Sequence, residues 1–137
     1  MTRIAAVRPN HYKLIGHDPV PCELMQWAKW FEYAARTVAR DVFKSDAGED
    51  VTVSTVFLGL DHNHAGFGEP ILFETIVFGG VLDQWHWRYC TWEEAEAGHA
   101  QLINLARVSE LATAGEDAKQ DAARIAGQVL ARWSGKA

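Results

Sequence analysis

The residues of this chain best suited to chemistry lie in one glycine-rich segment, DHNHAGFGEP, running from Asp61 to Pro70. Asp61, His62 and His64 are all metal-ligand types, and two histidines separated by one residue in extended backbone project to the same side. His99, farther along, offers another ring nitrogen. Three such ligands with an open fourth position are what a small zinc-dependent hydrolase uses to activate water. No HExxH-type frame fixes these residues, and the sequence does not bring His99 to the other two. The competing reading makes the segment a hairpin loop in which Asp61 and Asn63 satisfy turn amides. On that reading His99 is a core histidine bonded to a carbonyl or a carboxylate.

A second set of chemistry-bearing residues comes from two apolar runs on either side of Gly79-Gly80. If the turn between them centres near Val81, Glu74 stands opposite Arg88, and a half-buried carboxylate there needs that cation. The catalytic alternative makes Glu74 a general base with His86 on the same face. Cys22 and Cys90 are far apart and form no CxxC pair, so both are expected as free thiols. No GxxxxGK[ST] loop, strand-bound GxGxxG or GxSxG elbow occurs. Trp30, Tyr33, Trp85, Trp87 and Tyr89 supply the remaining candidate surface. The chain carries six tryptophans, and aromatic residues of this kind either fill a core or anchor a protein interface.

Composition narrows the class. A net charge of −5 without clustered Lys and Arg argues against a nucleic-acid footprint. No stretch reaches the roughly 20 apolar residues that cross a bilayer, and Met1 to Pro9 has no signal-peptide core. The expectation is therefore one α+β domain over 1–137, cytoplasmic, with no cofactor and no membrane partner.

The elements that must position these residues follow from periodicity. Leu24, Trp27, Phe31, Ala35, Val38 and Val42 recur every three or four residues and predict a helix over 23–43. The polar run KSDAGED follows. Three stretches, 51–60, 71–78 and 84–90, are rich in β-branched and aromatic residues and predict a three-stranded antiparallel meander. Tyr12 to Ile15 predicts a short strand before the turn signals Gly16 and Asp18-Pro19. Thr91 and Glu94 have capping-box spacing and open a helix over 92–107. A break near Ala114-Gly115 precedes a last predicted helix, 116–133.

Four blocks carry a likeness to known sequences: YKLIG…MQWAKWFE between Tyr12 and Glu32, VSTVFLGLDHNH from Val53 to His64, PILFETIVFGG from Pro70 to Gly80, and RYCTWEEAEAGH from Arg88 to His99. Together they resemble a group of small proteins encoded in tailed-phage and prophage genomes. The likeness ends at His99 and transfers no catalytic residue. It implies a context, the bacterial host cytoplasm. The functional expectation is a phage- or prophage-encoded non-enzymatic interaction protein that binds a host or phage protein, an inhibitor of a host defence or regulatory complex being one form. A homodimer is a further expected assembly. The alternatives are the metal-dependent hydrolase and a virion structural component.

Overall fold

Strict alternation in the stretch Asp50–Phe57 dictates the centre of the structure: Val51, Val53, Thr55 and Phe57 point to one face and are buried. The computed structural model describes residues 8–111, together with Arg124 and Gln128, which are helical. Eight elements follow in chain order: β1 (Tyr12–Ile15), β2 (Asp18–Pro21), α1 (Leu24–Tyr33), β3 (Thr37–Lys44), β4 (Asp50–Phe57), β5 (Phe73–Phe78), β6 (His86–Tyr89) and α2 (Trp92–Leu111). β1 and β2 form a hairpin of their own, and β3-β4-β5-β6 form a four-stranded antiparallel sheet in chain order. The class is α+β, as expected. The three-stranded meander is corrected to four strands plus a separate hairpin.

The added strand comes from the second half of the expected 23–43 helix. α1 ends at Tyr33, Ala34 leaves it in extended conformation, and Thr37–Lys44 pairs with β4. Ala35, Val38 and Val42 fit helical spacing, but Thr37, Val38, Val42 and Phe43 are β-branched or aromatic. Pairing also satisfies the free edge of β4, whose peptide groups are otherwise unbonded on that side. The register shifts between Thr37 and Ala39, so Val38 is the extra residue of a bulge. Beyond the bulge, Asp41 and Phe43 fall on the same face as Val53 and Val51. The other strands match within a few residues of their expected bounds, and α2 runs to Leu111 instead of 107. The expected helix 116–133 lies outside the described residues, Arg124 and Gln128 apart.

α2 covers one face of the sheet. Its Ala95, His99, Leu102, Leu105 and Ala106 are buried against Val53, Phe73, Val77 and Trp87. Its start is the capping box read from the sequence: Thr91 N–H donates to Glu94 Oε1 at 3.0 Å and Glu94 N–H to Thr91 Oγ1 at 3.1 Å. α1 instead caps the end of the sheet, with Trp30 edge-on to Phe57 at 5.8 Å, and none of its residues is fully buried. The opposite sheet face, carrying Val42, Thr52, Ser54, Ile76 and Phe78, has no covering element among the described residues. Between β5 and β6, Gly79 holds φ +86°, and a Cβ there would meet Asp50 O, so no other residue fits that turn without rearrangement. No described helix is long and apolar enough to cross a membrane.

Candidate functional site

The segment from Asp61 to Pro70 is an ordered loop built by three side chains. Past Phe57 the two strands stay paired through Leu58 N–H to Leu72 O (2.7 Å) and His62 N–H to Ile71 O (2.9 Å). Asp61 Oδ1 then accepts the amides of Asn63 (2.8 Å) and Ile71 (3.0 Å), and its Oδ2 accepts Arg8 Nε at 3.1 Å. Asn63 stitches the interior: Oδ1 accepts Ala65 N–H (3.0 Å), and Nδ2 donates to Phe67 O (2.9 Å) and Glu69 O (2.8 Å). Arg8 closes the rim by donating to Gly68 O at 2.8 Å. The turn-amide reading of Asp61 and Asn63 therefore holds. Burial works to raise the Asp61 carboxyl, but the two amides and the Arg8 guanidinium outweigh it and hold it below the usual carboxylate range.

What the loop leaves outside is Phe67. Its side chain is 77% exposed, between Gly66 and Gly68 at φ +84° and +85°. Two left-handed residues around one aromatic are unfavourable to order, so the loop's hydrogen bonds hold in place a bend that presents a single apolar ring. Nothing in the expected site included Phe67. The available signal was the GFG triplet inside a segment otherwise made of turn formers.

The four metal-ligand candidates do not converge. Asp61 has both oxygens occupied. His62 Nδ1–H donates to Leu60 O at 2.9 Å, and the rings of His62 and His64 stand 6.4 Å apart. His99 is elsewhere, on the buried face of α2, with both nitrogens bonded: Nε2 to Asp41 Oδ2 and Nδ1 to Thr55 Oγ1, each at 2.7 Å. Thr55 Oγ1 lies 2.5 Å from Thr75 Oγ1, which lies 3.0 Å from Tyr89 OH. A carboxylate only accepts, so His99 donates from Nε2 to Asp41. From Nδ1 the chain continues through the hydroxyls of Thr55, Thr75 and Tyr89. Burial pushes the Tyr89 phenol well up, which keeps it protonated. Threonine, histidine and aspartate in line are the parts of an activated nucleophile. Here the Thr55 hydroxyl is 0% exposed, beneath the sheet and α2, so no substrate reaches it. The chain of bonds runs from α2 through all four strands of the sheet, and His99 is the core histidine of the second reading.

The aromatic candidates separate into core and surface. Trp87 and Tyr89 are buried, Trp85 packs against Trp87 at 5.7 Å, and Trp30 lies on Phe57. Tyr33 alone stands out, 85% exposed at the end of α1. These five do not form one surface, because α2 occupies the face on which Trp87 and Tyr89 lie. Glu74 and Arg88 are register partners as expected, with Arg88 Nε 2.8 Å from Glu74 Oε2. His86 shares their open face without bonding to Glu74 among the described residues. The indole nitrogens of Trp27, Trp87 and Trp92 are buried without an acceptor among the described residues, and we have no physical account of them.

Among the described residues one group of three ligand-type side chains clusters closely: Glu69, Cys90 and Glu94. Burial first, then the charges of Glu94 and Glu69, push the Cys90 thiol up to about 11. It is an inert thiol bonded to Glu69, and burial likewise raises Cys22. Glu94 is engaged in the capping box at the positive end of α2, a position that disfavours a cation. No known protein-family profile, curated protein or solved structure matches the chain.

Proposed function

We propose that this chain is a phage- or prophage-encoded, non-enzymatic interaction protein, and that it meets its protein partner through Phe67. The phage context rests on the sequence likeness alone. The contact reading rests on one observation: an ordered loop whose polar groups bond inward and whose one large apolar side chain faces solvent. Preorganised loops of this kind lose little entropy on binding, and an exposed aromatic at the tip is the residue type that anchors interfaces. Inhibition of a host defence or regulatory complex is the form of action we favour, since a single protruding anchor suits occupying another protein's pocket. Tyr33 remains available as a further contact. The test places a photo-crosslinking benzoylphenylalanine at position 67 and, as control, at exposed Ala97 on α2, in infected or lysogenic cells. A protein captured from position 67 and absent from position 97 is expected. Equal capture from both, or none, refutes the reading.

A further inference from the structure

Among the described residues, the end of the molecule opposite the loop holds a cavity of about 170 Å³. It is lined by Phe43 and Lys44 at the end of β3, by Asp46, and by Arg107, Glu110 and Leu111 in the last turns of α2. The Phe67 loop joins the Phe57 end of β4 to β5, whereas the cavity adjoins the end where Asp50 begins β4 opposite Lys44. At about 3.3 Å per residue the eight residues of β4 separate the two by about 25 Å.

The cavity suits an aromatic ring. A volume of about 150 Å³ is enough for benzene, and Phe43 and Leu111 give this otherwise polar, open cavity an apolar wall. Arg107 already lies over the Phe43 ring at 5.0 Å, so an entering ring meets an aromatic and a guanidinium together. Two of the other charges at the mouth have partners: Lys44 pairs with Asp50 at 2.7 Å, and Glu110 Oε1 accepts Val81 N–H at 2.6 Å. Asp46 is exposed beside them. On the loop, exposed Glu69 lies two residues from Phe67 and offers a charge opposite to that of Arg107.

We propose that Phe67 of one copy seats in this cavity of a second copy, so that the chain associates head to tail. The proposal rests on the reading of Phe67 as the contact residue and names a partner for it. Because knob and socket are different patches at opposite ends, the contact is heterologous: two copies do not close it, and growth gives rings or filaments. This differs from the symmetric homodimer expected from the sequence.

Sedimentation of the full chain up to about 1 mM, where even small interfaces register, tests it. Phe67→Ala keeps the socket and removes the knob. Leu111→Glu keeps the knob and blocks the socket, and both sites are exposed enough to leave folding intact, which circular dichroism checks. Wild type is expected to grow beyond a dimer with concentration. Each variant alone is expected to be monomeric, with association weakened about 30-fold or more. Their equimolar mixture is expected to stop at a dimer. A wild type that stays monomeric, a Phe67→Ala that associates like wild type, or a mixture that stays monomeric each overturns the proposal. Monomeric wild type with a position-67 crosslink to a different protein removes self-assembly and leaves the contact reading standing.

Discussion

Thr55→Val is the sharpest probe of how the helix is held to the sheet. Valine keeps the shape of threonine and deletes one hydroxyl, which here bonds to His99 at 2.7 Å and to Thr75 at 2.5 Å in a site closed to water. Losing two net hydrogen bonds is worth about 1 kcal/mol each. His99 Nδ1 is then left without a partner beneath α2, which adds about 1–3 kcal/mol, and the new methyl returns part of that. The expected loss is about 2–4 kcal/mol, a large fraction of the roughly 5–15 kcal/mol that holds a domain together. Urea unfolding followed by tryptophan fluorescence measures it, with the slope unchanged. His99→Phe breaks the same chain, so the double variant is expected to fall short of the sum by about 1 kcal/mol or more. A Thr55→Val protein within about 0.5 kcal/mol of wild type, or strict additivity with His99→Phe, refutes the assignment of these bonds as a fastening.

Three further outcomes follow from the described geometry. Glu74→Ala is expected to destabilise by about 1–2 kcal/mol, below the range for a fully buried pair because the Arg88 side chain is 41% exposed; thermal unfolding of single and double variants should show less than additive losses, and full additivity would sink the pairing. Asp61 has its carboxyl lowered in the fold, so it contributes stability above its unfolded value near 3.9 and loses that contribution as pH falls through the folded value; Asp61→Asn should be less stable at pH 6 and show a flatter decline on the acid side of about pH 5, whereas an unchanged acid limb would contradict the loop's electrostatics. With its thiol at about 11, Cys90 should alkylate at pH 8 about two orders of magnitude more slowly than glutathione, and Glu94→Gln should speed it; a rate near that of glutathione would show the thiol is not raised.

Sequence patterns carried the elements whose signal is local and failed where two periods coincide. The Glu74–Arg88 register, the Thr91–Glu94 capping box and the Tyr12–Ile15 strand were legible because each depends on residues within one turn or hairpin. Thr37–Lys44 was not. Its Val38 and Val42 extend the stripe of α1 at helical spacing, no glycine or proline marks the stop, and the deciding interaction is pairing with β4. The candidate site failed for a related reason. Ligand-type residues are recognisable from sequence, but their occupancy is not: Asp61 is held by Arg8 from far upstream, and His99 by Asp41, which the helix reading had placed on α1. Trp87 and Tyr89 belong to the core because α2 lies over them, a tertiary choice that strand alternation alone leaves open.

The unbroken chain order of the four-stranded sheet has a kinetic consequence. Each strand pairs with its neighbour in sequence, so the sheet assembles through hairpins whose loops are inexpensive in entropy to close. The bonds that tie α2 to the sheet reach far across the chain, His99 lying 44 residues from Thr55 and 58 from Asp41. Helix docking should accordingly come late, after the rate-limiting barrier has been crossed on the strength of the hairpins. Removing the Thr55 hydroxyl would then quicken unfolding and leave refolding almost untouched, a φ-value near zero. A value near one would mean that α2 and the strands meet first and that the hairpins complete themselves around it.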